Sequence, residues 1–178
     1  MAWRCSGNSN KALIENLQSS GIIKSQFVAN ALNSIDRSDF SPIDPYHDSP
    51  QSIGFGATIS APHMHAYALE YLKAQALEPN SKVLDIGCGS GYLTTAFAHL
   101  NPQSKVIGID YIAELVDLSR DNIMKNNKEL ITSGRIKLLV GNGWNGYPEE
   151  GPFNVIHVGA AASKMPQDLL RQLKVYPL

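Results

Sequence analysis

The sequence has 178 residues, 43% of them apolar, with a formal net charge of −1. This length suits one domain with a core of ordinary size, and the absence of a basic excess argues against nucleic-acid or membrane partners. The sequence shows no apolar signal core and no run long enough to span a bilayer. Cys5 and Cys88 are its only cysteines, and a disulfide between them would tie down a glycine-rich loop. We therefore expect a soluble cytosolic monomer with free thiols.

The first sixty residues predict two helices and an arm. Apolar residues at helical spacing indicate one helix from Lys11 to Ser20 and a second capped by Ser25. Three prolines then prevent regular structure between residues 36 and 50. We therefore predict an N-terminal appendage over residues 1–61 and a nucleotide-binding core over residues 62–178. The predicted buried face of the second helix comprises Phe27, Val28, Ala31, Leu32 and Ile35.

A serine precedes the next predicted helix. Gly54 and Gly56 indicate a flexible approach, and Ser60-Ala61-Pro62 has the chemistry of a helix start. Free amides and the helix dipole favour an anion there, and the Ser60 hydroxyl adds a donor for a carboxylate. The predicted buried stripe of this helix comprises Met64, Ala68, Leu69 and Leu72.

Four apolar runs in the rest of the chain predict parallel strands. Helical segments separate them, at about residues 91–100 and 112–126, and a last helix is predicted from Met165 to Leu173. Strands that alternate with helices predict right-handed crossovers and a parallel sheet covered on both faces, which is an α/β fold. The predicted strands are Lys82–Ile86, Lys105–Ile109, Ile136–Val140 and Phe153–Val158.

A glycine-rich turn follows the first of these strands. Gly87, Gly89 and Gly91 leave backbone N–H groups open to a ligand at a helix start. Asp110 ends the next strand, where a carboxylate can accept both hydroxyls of a ribose or, alternatively, cap the following helix. An NAD-dependent dehydrogenase is disfavoured, because the dinucleotide fingerprint places its third glycine at the position of Tyr92. The spacing resembles the nucleoside site of S-adenosylmethionine-dependent methyltransferases.

Further segments make the resemblance specific. With Asp48–Phe55, Thr58–His65, Gly108–Asp110 and His157–Ala161, the chain resembles the protein-L-isoaspartate (D-aspartate) O-methyltransferases over nearly its whole length. The resemblance implies a Rossmann-like fold with an N-terminal helical appendage. It also implies transfer of a methyl group from S-adenosylmethionine to the free carboxylate of isoaspartyl or D-aspartyl residues in damaged proteins, leaving S-adenosylhomocysteine.

The resemblance also assigns site residues. Ser60 is the residue assigned to catalysis, His65 reaches the amino-acid end of the cofactor, Asp110 holds its ribose, and Asn142 and Gly143 meet its adenine. The implied cofactor-binding residues are Ala57, Thr58, Ile59, Ser60, His65, Gly87, Gly89, Ser90, Gly91, Asp110, Asn142 and Gly143.

Other chemistries are disfavoured at these residues. Ser60 lacks the G-x-S-x-G elbow of a serine hydrolase. His63 and His65 have no cysteine or third ligand nearby in the sequence, so no metal is predicted. Cys88 has no identifiable base and is interpreted as a small side chain in a tight loop.

Two departures from the family pattern bear on function. Asn142 stands where the family usually has Asp, although an Asn carbonyl can still accept from an adenine amino group. Residues 175–178 stand where the family continues into a fifth strand and a final hairpin, so we expect a sheet that is incomplete on its C-terminal side. Two hypotheses therefore remain open: an active repair methyltransferase, and a form that binds cofactor or a partner with little turnover.

Overall fold

The structure, a computed structural model, describes residues 5–162 and 164–176. Residues 1–4 of the predicted appendage, and Pro177 and Leu178 of the predicted C-terminal departure, lie outside the described residues. The helices are α1 (Asn10–Ser19), α2 (Gln26–Asn33), α3 (Pro62–Ala76), α4 (Tyr92–Leu100), α5 (Ala113–Asn126), α6 (Lys128–Thr132) and α7 (Gln167–Leu170). The strands are β1 (Gln51–Gly54), β2 (Ala57–Ile59), β3 (Lys82–Ile86), β4 (Lys105–Asp110), β5 (Ile136–Val140) and β6 (Val155–Val158).

The main sheet has four parallel strands in the order β5-β4-β3-β6. Val83 of β3 lies opposite Val106 of β4 on one side and Val155 of β6 on the other. The last strand is shorter than predicted, because Phe153 does not extend β6 but forms an isolated bridge with Leu173. The predicted α/β fold and its four strands are thus confirmed, and among the described residues β5 and β6 are the two edge strands of this sheet.

The two faces of this sheet are covered unequally. The chain steps from β3 to β4 to β5 in one direction, so right-handed crossovers place α4 and α5 on the same face. The apolar residues of α1 to α6 join β3 and β4 there in one large cluster. The opposite face carries a smaller cluster with Phe153 and Leu169 of α7. The prediction of cover on both faces is therefore correct, but only one face is covered by long helices.

The predicted buried faces of two helices are wrong at single positions. Phe27 of α2 is 61% exposed and Met64 of α3 is 54% exposed. The buried stripe of α3 instead follows His65, Ala66 and Leu69. Apolar spacing predicts a helical period, but the position of the neighbouring sheet determines which residues of the helix face the core. The last helix is also shorter than predicted, with only Gln167–Leu170 helical.

The segment predicted as a flexible approach to Ser60 is an antiparallel hairpin. Gln51 pairs with Ile59, and the turn between β1 and β2 has positive φ at Gly54, Phe55 and Gly56. The hairpin ends at Ile59, one residue before Ser60. It therefore fixes the backbone from which the serine approaches α3.

The N-terminus of α2 is capped by a residue that is distant in the sequence. Ser25 occupies the predicted cap position, but its side chain makes no capping hydrogen bond. Instead Glu70 of α3 accepts the N–H groups of Lys24 and Ser25 at 2.8 and 2.7 Å, and the ammonium of Lys73 at 2.5 Å. Partial burial opposes its ionisation, yet these hydrogen bonds hold the pKa of Glu70 below its usual range.

We expect Glu70→Gln to lower the free energy of unfolding by about 1 kcal/mol at pH 7. The lowered folded-state pKa means that the carboxylate stabilises the fold above the ordinary glutamate pKa of about 4.3. That contribution is lost as the pH falls through the folded-state pKa, so the difference between variant and wild type in urea unfolding should shrink as the pH falls below the ordinary glutamate pKa. Glu15→Gln, which removes an exposed pair with Lys11, is the control and should change little. A difference that persists at low pH would contradict this role.

Candidate active site

The glycine loop after β3 is the floor of a crevice at the carboxyl end of the sheet. Gly87, Gly89 and Gly91 have φ angles of 76°, 54° and 83°, a region that other residues rarely adopt. The N–H groups of Gly87 and Cys88 donate to the Ile109 carbonyl at 2.8 and 3.1 Å. These hydrogen bonds tie the loop to β4. The strands that follow β3 in the sequence lie on both sides of it, so the strand order reverses at β3, and open α/β sheets bind ligands at such a point.

Asp110, at the end of β4, braces this loop from the side. One carboxylate oxygen accepts the N–H of Gly89 at 3.0 Å, and the other accepts the N–H of Ile112 at 3.2 Å. The second contact closes a turn before α5, whose N-cap residue is Ile112 and whose first turn has no side-chain capping hydrogen bond, so the capping alternative is not confirmed. A carboxylate has about four acceptor sites, so two remain for a ligand.

A cavity of about 370 Å³ lies against Asp110. Gly143 lines this cavity and packs closely on Ile86, because a Cβ on Gly143 would lie 2.3 Å from the Ile86 Cγ2. Asn142 also lines this cavity, and its side-chain amide oxygen accepts the Trp144 N–H at 3.1 Å. Apolar walls beside a carboxylate and an amide fit a nucleoside. Other lining residues are Gly87, Ile109, Tyr111 and Ala160.

A second cavity, of about 440 Å³, contains the predicted catalytic serine. Ser60 lines it together with His65 and His157, and the outer wall comes from Tyr67 and Tyr71 of α3. The Ser60 hydroxyl has no hydrogen-bond partner among the described residues. Both cavities are lined by Ala160, which lies two residues after the end of β6, so the nucleoside crevice and the serine cavity adjoin.

A buried arginine stands behind the serine. The Arg37 side chain is fully buried and donates to the Ser60 carbonyl at 2.6 Å and to Nδ1 of His65 at 3.1 Å. Its guanidinium lies 4.9 Å from the ring centroid of Tyr92. Burial, followed by the charge of Arg37, holds the pKa of His65 well below its usual range. His65 is therefore a neutral imidazole at physiological pH.

A buried carboxylate orients the second imidazole of the cavity. Asp85 of β3 is 1% exposed, accepts the Thr94 hydroxyl at 2.6 Å, and pairs with Nδ1 of His157 at 2.9 Å. Because a carboxylate only accepts, the His157 hydrogen in this contact sits on Nδ1. The ring is thereby held in one orientation beside the Ser60 cavity.

The residues considered for other chemistries are engaged elsewhere. His63 pairs with the buried Asp48 at 2.7 Å, and His65 pairs with Arg37. No group of three or more metal-ligating side chains occurs in the part of the chain that the structure describes. Burial, with the charge of Asp85 next, raises the pKa of the Cys88 thiol far above its usual value. A thiol with a raised pKa is a poor nucleophile at neutral pH.

Comparison with known proteins identifies the family. Residues 8–175 match the profile of protein-L-isoaspartate(D-aspartate) O-methyltransferase (PCMT). The chain belongs to the PCMT family. A protein-L-isoaspartate O-methyltransferase of Caenorhabditis elegans is 46% identical over 174 residues, covering 97% of this chain and 77% of the relative. The enzyme of Triticum aestivum is 45% identical over 169 residues, covering 93% and 73%.

A solved PCMT structure supports the same conclusion for the fold. A Plasmodium falciparum structure assigned to protein-L-isoaspartate O-methyltransferase, in complex with S-adenosyl-L-homocysteine, has a TM-score of 0.87 and 40% identity, covering 94% of this chain and 81% of its own. PCMT enzymes use S-adenosylmethionine and act on proteins that contain isoaspartyl residues. The predicted family, fold, reaction class and cofactor are thus confirmed.

The structure brings most of the residues predicted from the PCMT pattern to these two cavities and to a third, of about 40 Å³. Asp110, Asn142 and Gly143 lie at the crevice cavity. Ala57 lines none of the three and pairs instead with Gly54 in the hairpin, and Gly91 packs against Ser119 beneath the loop. The lining of the third cavity includes Thr58, Ile59, Ser60, His65, Gly87, Gly89 and Ser90.

Three residues of the site were not assigned a role by sequence reasoning. Arg37 falls in the proline-containing arm, and no local pattern indicates that it is buried. His157 and Asp85 both follow apolar residues of neighbouring strands, and their pairing 72 positions apart depends on the parallel register of β3 and β6. The position of Asp85 inside an apolar run was the one available signal, since buried carboxylates are rare unless they are paired.

Proposed function

We propose that this chain transfers the methyl group of S-adenosylmethionine to the free carboxylate of L-isoaspartyl and D-aspartyl residues in damaged proteins and peptides. The observation that carries the proposal is the junction of the two cavities at Ala160. It places a nucleoside-sized crevice beside a serine whose hydroxyl makes no hydrogen bond to the described residues. A methyl donor on one side and a carboxylate on the other can meet there.

The residues of the crevice fit the cofactor. We propose that Asp110 accepts the ribose hydroxyls with its two remaining acceptor sites. Gly87 to Gly91 offer backbone beneath the ligand, and Asn142 and Gly143 face the adenine. The Asn142 carbonyl oxygen already accepts from Trp144, so it has one acceptor site left for the adenine amino group. We assign the amino-acid end to His65, and the lining of the cofactor and of the reacting carboxylate to Thr58 and Ile59.

The reaction requires little from the protein beyond the positioning of its two reactants. When bound, S-adenosylmethionine supplies an electrophilic methyl group on a sulfonium. A carboxylate with a pKa near 4 is ionised at neutral pH and is its own nucleophile, so no general base is needed. Ser60 therefore donates a hydrogen bond that orients the carboxylate, and does not attack. Holding two reactants in line and excluding water can contribute roughly 7–11 kcal/mol.

The deciding experiment is transfer of label from S-adenosylmethionine to an isoaspartyl peptide, run beside the aspartyl peptide of the same sequence. Methylation of the isoaspartyl peptide alone supports the proposal. Calorimetry with S-adenosylhomocysteine accompanies the assay. Tight binding without transfer would favour the alternative, a form that binds cofactor but turns over poorly.

Replacing Ser60 by alanine should lower turnover on the isoaspartyl peptide by about tenfold, the factor expected for one hydrogen bond to a charged group. The affinity for S-adenosylhomocysteine should change little, because the hydroxyl faces the second cavity. Ser133→Ala, at an exposed position after α6, is the matched control. Equal losses of cofactor binding and turnover would make Ser60 a cofactor ligand and contradict the role given to it.

We further infer a cytosolic monomer whose partners are damaged proteins, and not nucleic acid or membrane. The near-neutral charge and two buried, unpaired cysteines support this. No helix among the described residues is long and apolar enough to cross a bilayer. Sedimentation velocity tests the oligomeric state.

A further inference from the structure

Arg37 is an unusual arginine for a residue in an irregular segment. It follows Asp36 in a single turn of 3₁₀ helix (Arg37–Asp39), and its side chain is fully buried. No carboxylate among the described residues forms a salt bridge with it. Instead the guanidinium contacts a backbone carbonyl, an imidazole nitrogen and the face of Tyr92. The nearby Asp48 carboxylate favours the charged guanidinium, but no direct ion pair within the described part of the chain offsets the cost of burying it. The contacts that hold this charge in place therefore point to a role beyond packing.

The contact with His65 determines where that ring carries its hydrogen. A guanidinium has five N–H donors and no acceptor, so Nδ1 of His65 accepts in the 3.1 Å contact. The hydrogen of the neutral ring therefore sits on Nε2. Burial of this ring, followed by the charge of Arg37, opposes a second proton and keeps the pKa of His65 well below its usual range. His65 thus offers one neutral N–H donor to the cavity that it lines.

The contact with Ser60 ties the same guanidinium to the second donor of the site. Ser60 lies between β2 and α3, and His65 lies in the first turns of α3. One planar fork holds both, at 2.6 Å from the Ser60 carbonyl and 3.1 Å from the ring. A planar fork fixes direction at both contacts, which a lysine ammonium cannot do.

We propose that Arg37 is a positioning residue that sets His65 as a neutral Nε2–H donor and holds Ser60 beside it, so that the site presents two uncharged donors to a carboxylate. This deepens the proposed function and rests on it for the identity of that carboxylate. Neutral donors orient the anion and leave it nucleophilic, whereas an imidazolium would bind it more strongly and repel a sulfonium. The carboxylate belongs either to the amino-acid end of the cofactor or to the substrate.

The test compares Arg37→Met with Arg37→Gln, using Arg120→Met at an exposed pair with Asp117 as the control. Nitrogen-15 NMR of the histidine rings reports the tautomer directly, with His65→Gln used to assign the signal. The wild type should show a protonated Nε2 and a bare Nδ1 on a ring that does not titrate near pH 6.5. Arg37→Met should give a mixture of tautomers, and Arg37→Gln, whose amide can still donate, should restore the wild-type pattern.

Binding and kinetics separate the two sources of the carboxylate. If the carboxylate is the cofactor's, Arg37→Met should weaken the binding of S-adenosylhomocysteine roughly tenfold. The binding of methylthioadenosine, which lacks the amino acid, should be unchanged. If it is the substrate's, KM for the isoaspartyl peptide should rise by a similar factor. Arg37→Gln should recover most of either loss.

Two outcomes would overturn the assignment. One is a wild-type His65 that carries its hydrogen on Nδ1 or titrates normally, a result that needs no variant to fold. The other is an equal loss for every ligand in Arg37→Met and Arg37→Gln, which is the behaviour of an arginine that only supports the fold. NMR and calorimetry require no methyl transfer, so an inactive chain with the expected tautomer would contradict the proposed function alone.

Discussion

Replacing Asp85 by alanine is expected to lower the free energy of unfolding by about 3 kcal/mol. The carboxylate is buried and joins the Thr94 hydroxyl to the His157 ring. Its removal leaves the hydroxyl of fully buried Thr94 without a partner, which costs roughly 1–3 kcal/mol. Removing one member of a buried pair typically costs about 3–5 kcal/mol in all. Urea unfolding at neutral pH, followed by circular dichroism, measures the change.

Two further variants make the Asp85 result interpretable. Asp121→Ala removes a carboxylate from the exposed face of α5 and should stay within about 0.5 kcal/mol of the wild type. Asp85→Asn keeps the size of the side chain and one acceptor oxygen, so it should recover part of the loss. An alanine variant that unfolds at the wild-type urea midpoint would show that the network contributes nothing to stability.

The parts of the fold that could be predicted from sequence are those in which a local sequence pattern is enough to specify the secondary structure. The runs Lys82–Ile86 and Ile136–Val140 are strands with the predicted bounds. A strand in the middle of a parallel sheet is a short apolar run, as β3 is, and β5 keeps the same pattern although it lies at the edge and is only partly buried. The start of α3 was predictable for a similar reason: Pro62 at the first helical position suits its fixed φ. Each of these features depends on a few neighbouring residues.

The features that could not be predicted depend on contacts between distant residues. Phe27 and Leu32 fit one helical face equally well, but only the second meets the core. The hairpin at Gln51–Ile59 was missed because Gly54 and Gly56 suit a flexible segment as readily as a tight turn. Strand pairing, and not composition, distinguishes the two.

The same distinction separates the parts of the site. The position of Asp110 at the carboxyl edge of the sheet was predictable because it follows from a place at a strand end. The burial of Arg37 was not, because charged residues in loops are ordinarily exposed and its partners lie 23 and 28 positions along the chain. The placement of residues at the strand ends could therefore be predicted from sequence, whereas the contacts of Arg37 required the structure.

Replacing Asp110 by alanine is expected to weaken S-adenosylhomocysteine binding by about 1.5–3 kcal/mol, or roughly 10- to 150-fold, the range for hydrogen bonds to a charged group. The side chain has two tasks here, because the oxygens proposed to accept the ribose hydroxyls also accept the N–H groups of Gly89 and Ile112. Isothermal titration calorimetry measures the affinity. Asp117→Ala, at an exposed position on α5, is the control and should bind as the wild type does.

A ligand without a ribose hydroxyl separates the two tasks of Asp110. The wild type should bind 2′-deoxy-S-adenosylhomocysteine about tenfold more weakly than S-adenosylhomocysteine, because a carboxylate acceptor is left without its donor. Asp110→Ala has no carboxylate to leave unpaired, so it should bind both ligands alike. If the variant still discriminated between them as strongly as the wild type, another group would hold the ribose. Asp110 would then act only as the brace of the glycine loop, through its contact with Gly89.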